Sequence, residues 1–164
     1  MLLTNTTWTP ENGTQTSTGV SWSSNYQTTS RSYYDESRAY YNFRAVTAGT
    51  TNEDTVSGDA NGTVCPQAWT LPTRSEYVNL VTTVYSVSGS NDAKLHALPF
   101  SFNYAGYYNP NTIYNSDMDG YFWSRSIKDA SSSYYLFFRS NAVTPQGSSY
   151  GRVYGFPARC LAKP

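Results

Sequence analysis

The two cysteines, in Cys65-Pro66-Gln67-Ala68-Trp69-Thr70-Leu71-Pro72-Thr73 and Gly155-Phe156-Pro157-Ala158-Arg159-Cys160, constrain this chain more than any other feature. A bridge between them closes a loop spanning over half of the 164 residues. The other reading is a reactive thiol, which needs an electropositive setting or a nearby base, and Arg159 adjoins Cys160. Composition favours the bridge. Only 13% of residues are charged, and Ser, Thr and Asn abound, which suits a secreted or surface-displayed chain in an oxidising compartment.

Eleven basic and eleven acidic residues cancel, leaving no broad electrostatic reason to expect nucleic acid or an anionic membrane as partner. No apolar run reaches the roughly 20 residues that span a bilayer, and Met1-Leu2-Leu3 leads straight into polar sequence. Sixteen tyrosines make the surface vocabulary Tyr, Ser, Asn and Gly, as in antibody-like contact surfaces. Tyrosine brings a large apolar face and a hydroxyl with few torsions to freeze; the alternative is that such rings simply pack on strands.

Residues 1–32, rich in Thr, Ser and Asn around Trp8 and Trp22, read as an extended arm, with disorder as the alternative; residues 33–164 read as the domain. The aromatic run from Ser32 to Val46 predicts a strand or short helix, and Thr47 to Thr63 a loop. Thr73 and Glu76 form a capping box opening a helix over 74–85, whose Tyr77, Leu80, Val81 and Val84 share one face. A second helical turn is expected from Asp92 to Leu98, before Pro99 and after a break at 86–91. Strands are expected over Tyr121–Ser124 and Tyr134–Arg139, the latter with Tyr134, Leu136 and Phe138 on one face and Tyr135, Phe137 and Arg139 on the other. Asn141 to Tyr150 reads as a hairpin loop, and Arg152 to Leu161 as the last strand. No repeat of 20 to 50 residues is present.

Candidate chemistry is sparse. The single histidine, His96, has no evident oriented partner, so a packed ring is the plainer reading. Asp117 and Asp119 are close in sequence, which does not make them convergent. Asn115-Ser116-Asp117-Met118-Asp119-Gly120 matches the opening of a calcium loop, but Ser126 stands where the closing Glu belongs, which favours a turn. One His and two distant Cys cannot supply a zinc site, and no phosphate-binding glycine motif occurs. No cofactor is expected. Three sequons, at Asn5, Asn12 and Asn61, arise readily by chance in so Asn/Thr-rich a chain.

Cys65-Pro66-x-x-Trp69-x-Leu71-Pro72-Thr73 with Glu76 and Leu80, then Gly120-Tyr121-Phe122-Trp123-Ser124, then Gly155-Phe156-x-x-Arg159-Cys160, resembles the FISUMP domain family, named for the major paralogous proteins of Fibrobacter. Order and spacing agree over about residues 40–162; Ala68, Thr70 and Arg125 depart from the common glycine, arginine and serine. The resemblance implies an α+β domain of the C-type lectin-like fold, with short antiparallel strands, one well-defined helix and much irregular loop. It also implies a bacterial secreted or surface protein, and sequence preceding the position of Met1. Related formylglycine-generating enzymes need an active-site cysteine pair that Cys65 and Cys160, both at scaffold positions, leave unsupplied. The E-P-N, Q-P-D and W-N-D tripeptides of calcium-dependent lectins are absent, so neither catalysis nor calcium-dependent sugar binding carries over.

The variable proteins of diversity-generating retroelements use a similar fold, and Tyr121 to Cys160 looks like their mutated region. The expectation is therefore a non-enzymatic extracellular recognition or adhesion domain on a cell, pilus or phage particle, with a protein or carbohydrate ligand. Its surface is expected at Tyr121, Arg125, Tyr135, Phe137, Arg139, Tyr150, Arg152 and Tyr154. A pilin or other filament head, its aromatic surface packed on neighbouring copies, is the alternative.

Overall fold

Alternating aromatic and aliphatic residues in two strands build the centre of the molecule. The computed structural model describes residues 15–16, 32–35, 38–51, 54–85, 92–97, 100–109 and 112–162. Along the chain run β1 (Gln15–Thr16), β2 (Ser32–Asp35), β3 (Arg38–Tyr41), α1 (Phe43–Val46), β4 (Gly58–Asp59), β5 (Trp69–Thr70), α2 (Arg74–Tyr85) and α3 (Ala93–His96). There follow β6 (Tyr107–Asn109), β7 (Thr112–Tyr114), β8 (Asp119–Ile127), β9 (Ser133–Arg139), β10 (Ala142–Gly147) and β11 (Leu161–Ala162). The described residues thus form an α+β arrangement of a few short helices and mostly antiparallel strands. Its main sheet has the order β10-β9-β8-β4.

Successive side chains of a strand leave on opposite faces, and here both faces are covered. Tyr121, Trp123 and Ile127 of β8, with Tyr135 of β9, join Phe43, Ala45 and Val46 of α1, Leu71, Cys65 and Phe156 in one cluster. Phe122, Leu136 and Phe138 point the other way, onto Tyr77 of α2, Leu95 of α3 and Phe102. The expected alternation of β9 therefore separates two cores rather than a core from solvent. At 25 cal/mol per Å², each fully buried aromatic stabilises the fold by about 2–3 kcal/mol.

Trp123 joins the distant parts. Its Nε1 donates to the Tyr41 carbonyl at 2.7 Å. The indole stacks on Phe156 at 4.2 Å and meets the Phe43 ring edge-on at 5.3 Å. Tyr41 and Phe156 exchange backbone hydrogen bonds, both at 3.0 Å. Glycine makes room where rings cross the sheet: a Cβ on Gly120 would meet the ring of Phe138, its cross-strand partner, at 2.2 Å.

Helix α2 has the expected bounds and cap. Thr73 N–H donates to Glu76 Oε2 at 2.6 Å, and Glu76 N–H donates to Thr73 Oγ1 at 3.1 Å. Tyr77 and Val84 are buried, and the helix packs across β8, β9 and β10. The Ser32–Val46 run yields strands and then a helix. Asn42 separates them, its side chain accepting from Ala45 N–H at 2.9 Å. Helix α3 is shorter than expected; the break at 86–91 and the stop at Leu98-Pro99 lie outside the described residues. Of the arm, β1 pairs in parallel with β2, while residues 1–14 and 17–31, with Trp8 and Trp22, lie outside them.

Two expectations are corrected. The polar stretch read as a loop from Asn141 contains β10, an edge strand on β9. Pro145 and Gly147 disguise it, and an edge strand tolerates both at its register shift between Thr144 and Gly147. Gly147 has its own use, since a Cβ there would meet the Tyr135 ring at 2.4 Å. Arg152 to Leu161 is not one strand but an irregular run touching the sheet at Tyr41↔Phe156 and Tyr108↔Gly155 before β11 pairs with β5.

Cys65 and Cys160 form the disulfide, with Cα atoms 5.8 Å apart, so neither is a free thiol. Beside it Ala68 holds φ at 67°, in the left-handed region that disfavours a Cβ. Two outcomes are expected in urea melts. Replacing both cysteines by alanine lowers stability by up to about 4–5 kcal/mol on the chain-entropy model. Ala68→Gly raises it by about 0.5 kcal/mol, because relief of the left-handed strain slightly exceeds the added chain entropy.

Candidate recognition surface

The β6–β7 hairpin, the end of β9 and the loop after β10 bring their aromatic side chains together around Tyr121. Tyr107 is the centre. Its ring stacks on Tyr114 at 5.5 Å and lies 5.1 Å from Tyr121, 4.9 Å from Tyr150 and 5.8 Å from Tyr154. Tyr150 and Tyr154 meet edge-on at 5.0 Å, and Tyr121 lies 5.1 Å from Phe137. The hairpin can sit this close because residue 106 is glycine, at φ 68°: a Cβ there would lie 2.2 Å from the Tyr114 carbonyl oxygen.

Exposure is graded across this surface. Tyr114 and the neighbouring Met118 are 45% and 68% exposed, while Tyr107, Phe137, Tyr150 and Tyr154 are half-buried. Arg139 lies at the rim, its guanidinium 5.0 Å from the centre of the Phe137 ring. Its Nη2 donates to Asp119 Oδ2 at 3.1 Å. That same buried oxygen accepts from Asn115 Nδ2 at 2.8 Å and from the Tyr121 hydroxyl at 3.2 Å. Asp119 thus ties the turn, β8 and β9 together beneath the rings.

The Tyr107, Tyr121 and Tyr135 phenols stay protonated. Burial, then hydrogen bonding with Tyr150, pushes Tyr107 and Tyr121 above the ordinary tyrosine range. Burial raises Tyr135 as well, against the lowering effect of its hydrogen bond with Ser149. These hydroxyls are hydrogen-bonding groups rather than phenolate bases at neutral pH.

Of the eight residues expected at the surface, Phe137, Arg139, Tyr150 and Tyr154 come together there. Tyr121 and Tyr135 are corrected: at 3% and 2% exposure they form its floor, because odd-numbered positions of β8 and β9 face the first core cluster. Arg152 is corrected too. It is 2% exposed, with Nε on Ser133 Oγ at 3.1 Å, Nη2 on the Thr55 carbonyl at 2.7 Å and on the Asp129 carbonyl, and its guanidinium over Phe43. A buried cation satisfied by carbonyls braces loops. Arg125 lies towards the other end of β8, its Nη1 on the Ala60 carbonyl at 3.3 Å, and does not join the surface. Tyr107, Tyr114 and Met118 are additions. The signal for the two tyrosines was the aromatic density before Asn115, which carries no direction until the hairpin pairs Tyr107 with Tyr114; Met118, in the turn after it, carried none.

The other candidates resolve structurally. The His96 ring nitrogens face Asp92 Oδ2 at 3.1 Å and the Phe102 carbonyl at 2.7 Å, and the ring packs edge-on to Tyr104 and Phe138. Asp117 pairs with Arg38 at 2.9 Å while Asp119 pairs with Arg139, so the two carboxylates serve different partners. Asn115 and Asp117 both have positive φ, at 54° and 64°, as a turn before β8 requires. Among the described residues no group of three or more His, Cys, Asp or Glu could hold a metal ion. No protein-family model, curated protein or solved structure matches the chain.

Arg152→Met is expected to lower stability by about 2–4 kcal/mol in urea melts, since three oxygens lose a charged donor. A pH dependence follows at Asp129. Burial is the largest single influence and raises its pKa, but hydrogen bonds from Ser131 and Ser132, with the nearby Lys128 charge, together outweigh it and hold the carboxyl below its usual range. A lowered folded pKa stabilises above the unfolded value, and the contribution is lost as pH falls through the folded one. The stability advantage of the native chain over Asp129→Asn is thus expected at neutral pH and should fade below about pH 4.

Proposed function

We propose that this chain is a non-enzymatic extracellular recognition domain of the C-type lectin-like class, binding a protein or carbohydrate ligand through Tyr107, Tyr114, Met118, Phe137, Arg139, Tyr150 and Tyr154. The observation that carries the proposal is the mutual packing of these rings. Each is held by its neighbours and by a floor of buried side chains, so little side-chain entropy remains to be lost on binding. Tyrosine, methionine and arginine are also the residues enriched where proteins contact ligands. The disulfide and the absence, among the described residues, of a helix long and apolar enough to cross a membrane are compatible with display outside the cell.

The motif resemblance supports the fold assignment, as do a central antiparallel sheet and a Cys65–Cys160 bridge beside the small β5–β11 pair. A diversified binder fits only in part. Phe137, Arg139, Tyr150 and Tyr154 fall within 121–160, whereas Tyr107, Tyr114 and Met118 precede it. Filament growth by strand addition to the main sheet finds less support. One edge, β10, is interrupted by Pro145 and a register shift, and the other, β4, has two residues.

The test is a paired substitution read on arrays of displayed proteins and glycans. Tyr114→Ala with Tyr154→Ala is expected to weaken the strongest array signal at least tenfold, about 1.4 kcal/mol, in a chain that still melts cooperatively. Tyr121→Ala is expected instead to lower stability by about 3 kcal/mol or more, as removal of a core aromatic does. Undiminished binding by the double variant would exclude the proposed surface.

A further inference from the structure

We infer that Asn61 is an acceptor for an N-linked glycan of the kind transferred by acidic-sequon oligosaccharyltransferases. These enzymes require Asp or Glu two residues before the asparagine as well as Ser or Thr two residues after it. Asp59-Ala60-Asn61-Gly62-Thr63 meets both conditions, with no proline between. The other two sequons do not, since Leu3 precedes Asn5 and Pro10 precedes Asn12 at the corresponding position.

The fold accounts for the residues on either side of Asn61 and not for Asn61 itself. A Cβ on Gly62 would meet Thr50 Cγ2 at 2.4 Å and the Thr47 carbonyl at 2.5 Å, so packing requires glycine there. Thr63 Oγ1 accepts from Cys65 N–H at 3.1 Å, and Asp59 Oδ1 accepts from the Ser126 hydroxyl. The Asn61 side chain, by contrast, is exposed and makes no hydrogen bond among the described residues. A sugar on it displaces no hydrogen bond among the described residues.

The backbone hydrogen bond from Ala60 N–H to the Arg125 carbonyl, 2.9 Å, fixes Asn61 beside the later half of β8. The tyrosine surface gathers over Tyr121, about 13 Å away along the strand at 3.3 Å per residue. A glycan here therefore starts at the opposite end of β8 from that surface, and the inference stands whether or not the surface binds a ligand.

In the transfer, the Asn61 Nδ2 attacks C1 of a sugar carried on a lipid diphosphate. The nitrogen–C1 bond forms, the bond from C1 to the diphosphate oxygen breaks, the amide gives up one proton and the lipid diphosphate leaves. The enzyme must engage Asp59 and Thr63, both of which have internal partners in the folded chain. The acceptor is thus the chain before β4 joins β8 and before the nearby Cys65 is bridged.

The test incubates the full chain, either reduced and unfolded or folded and oxidised, with a purified acidic-sequon oligosaccharyltransferase and its lipid-diphosphate oligosaccharide. Intact mass and peptide mapping are the readouts. The expected result is one glycan on the unfolded chain at Asn61, none at Asn5 or Asn12, and at least tenfold less on the folded chain. Asn61→Gln and Asp59→Ala should each remove at least nine-tenths of the product. An unmodified Asn61 in the unfolded chain would overturn the inference, as would full modification of the Asp59→Ala variant. Neither mass readout depends on a variant's ability to fold.

Discussion

The indole of Trp123 holds together segments that are far apart in the chain. Its N–H reaches the Tyr41 carbonyl, its face lies on Phe156, and its edge partner Phe43 opens the first helix. β3, the central strand and the C-terminal run therefore share one fully buried side chain. The disulfide adds a covalent constraint to the same core cluster, tying the segment before β5 to the one before β11. Rigidity in the exposed rings follows from this floor, since Phe156 also touches Tyr107, Tyr121, Tyr135 and Tyr150.

Tyrosine serves both levels of this arrangement because the ring and the hydroxyl have separate requirements. Tyr121 and Tyr135 bury their rings yet keep hydroxyl partners in Asp119 and Ser149. Tyr107, Tyr150 and Tyr154 use the same packing one layer further out, where part of each ring meets water. Asp119 is the polar counterpart of Trp123. A single buried carboxylate oxygen takes donors from a turn and two strands, which sets Arg139 against Phe137 at the edge of the surface.

Local signals were legible in the sequence where chemistry acts within a few residues. Thr73 and Glu76 announced the start of α2, and the alternation of Tyr135, Leu136, Phe137 and Phe138 separated the two faces of β9. Asn115 to Gly120 read correctly as a turn because the closing carboxylate of a calcium loop is missing. β10 was hidden because Pro145 and Gly147 are loop residues everywhere except at a bulged edge strand, and edges exist only once the sheet does. Arg152 misled for a related reason: an arginine in a polar loop looks like a contact residue until three carbonyl and hydroxyl oxygens close around it.

By itself, the sequence determined the α2 helix, the two aromatic strands, the single available disulfide and a surface poor in charge. These follow from periodicity, capping and composition, which act along the chain. Only the tertiary structure decided which tyrosines are floor and which are surface. Alternation assigns a residue to a face, but whether that face meets solvent depends on what the rest of the chain lays over it. Here the β6–β7 hairpin and the loop after β10 cover Tyr121 and Tyr135 and leave Tyr114, Met118 and Arg139 facing water.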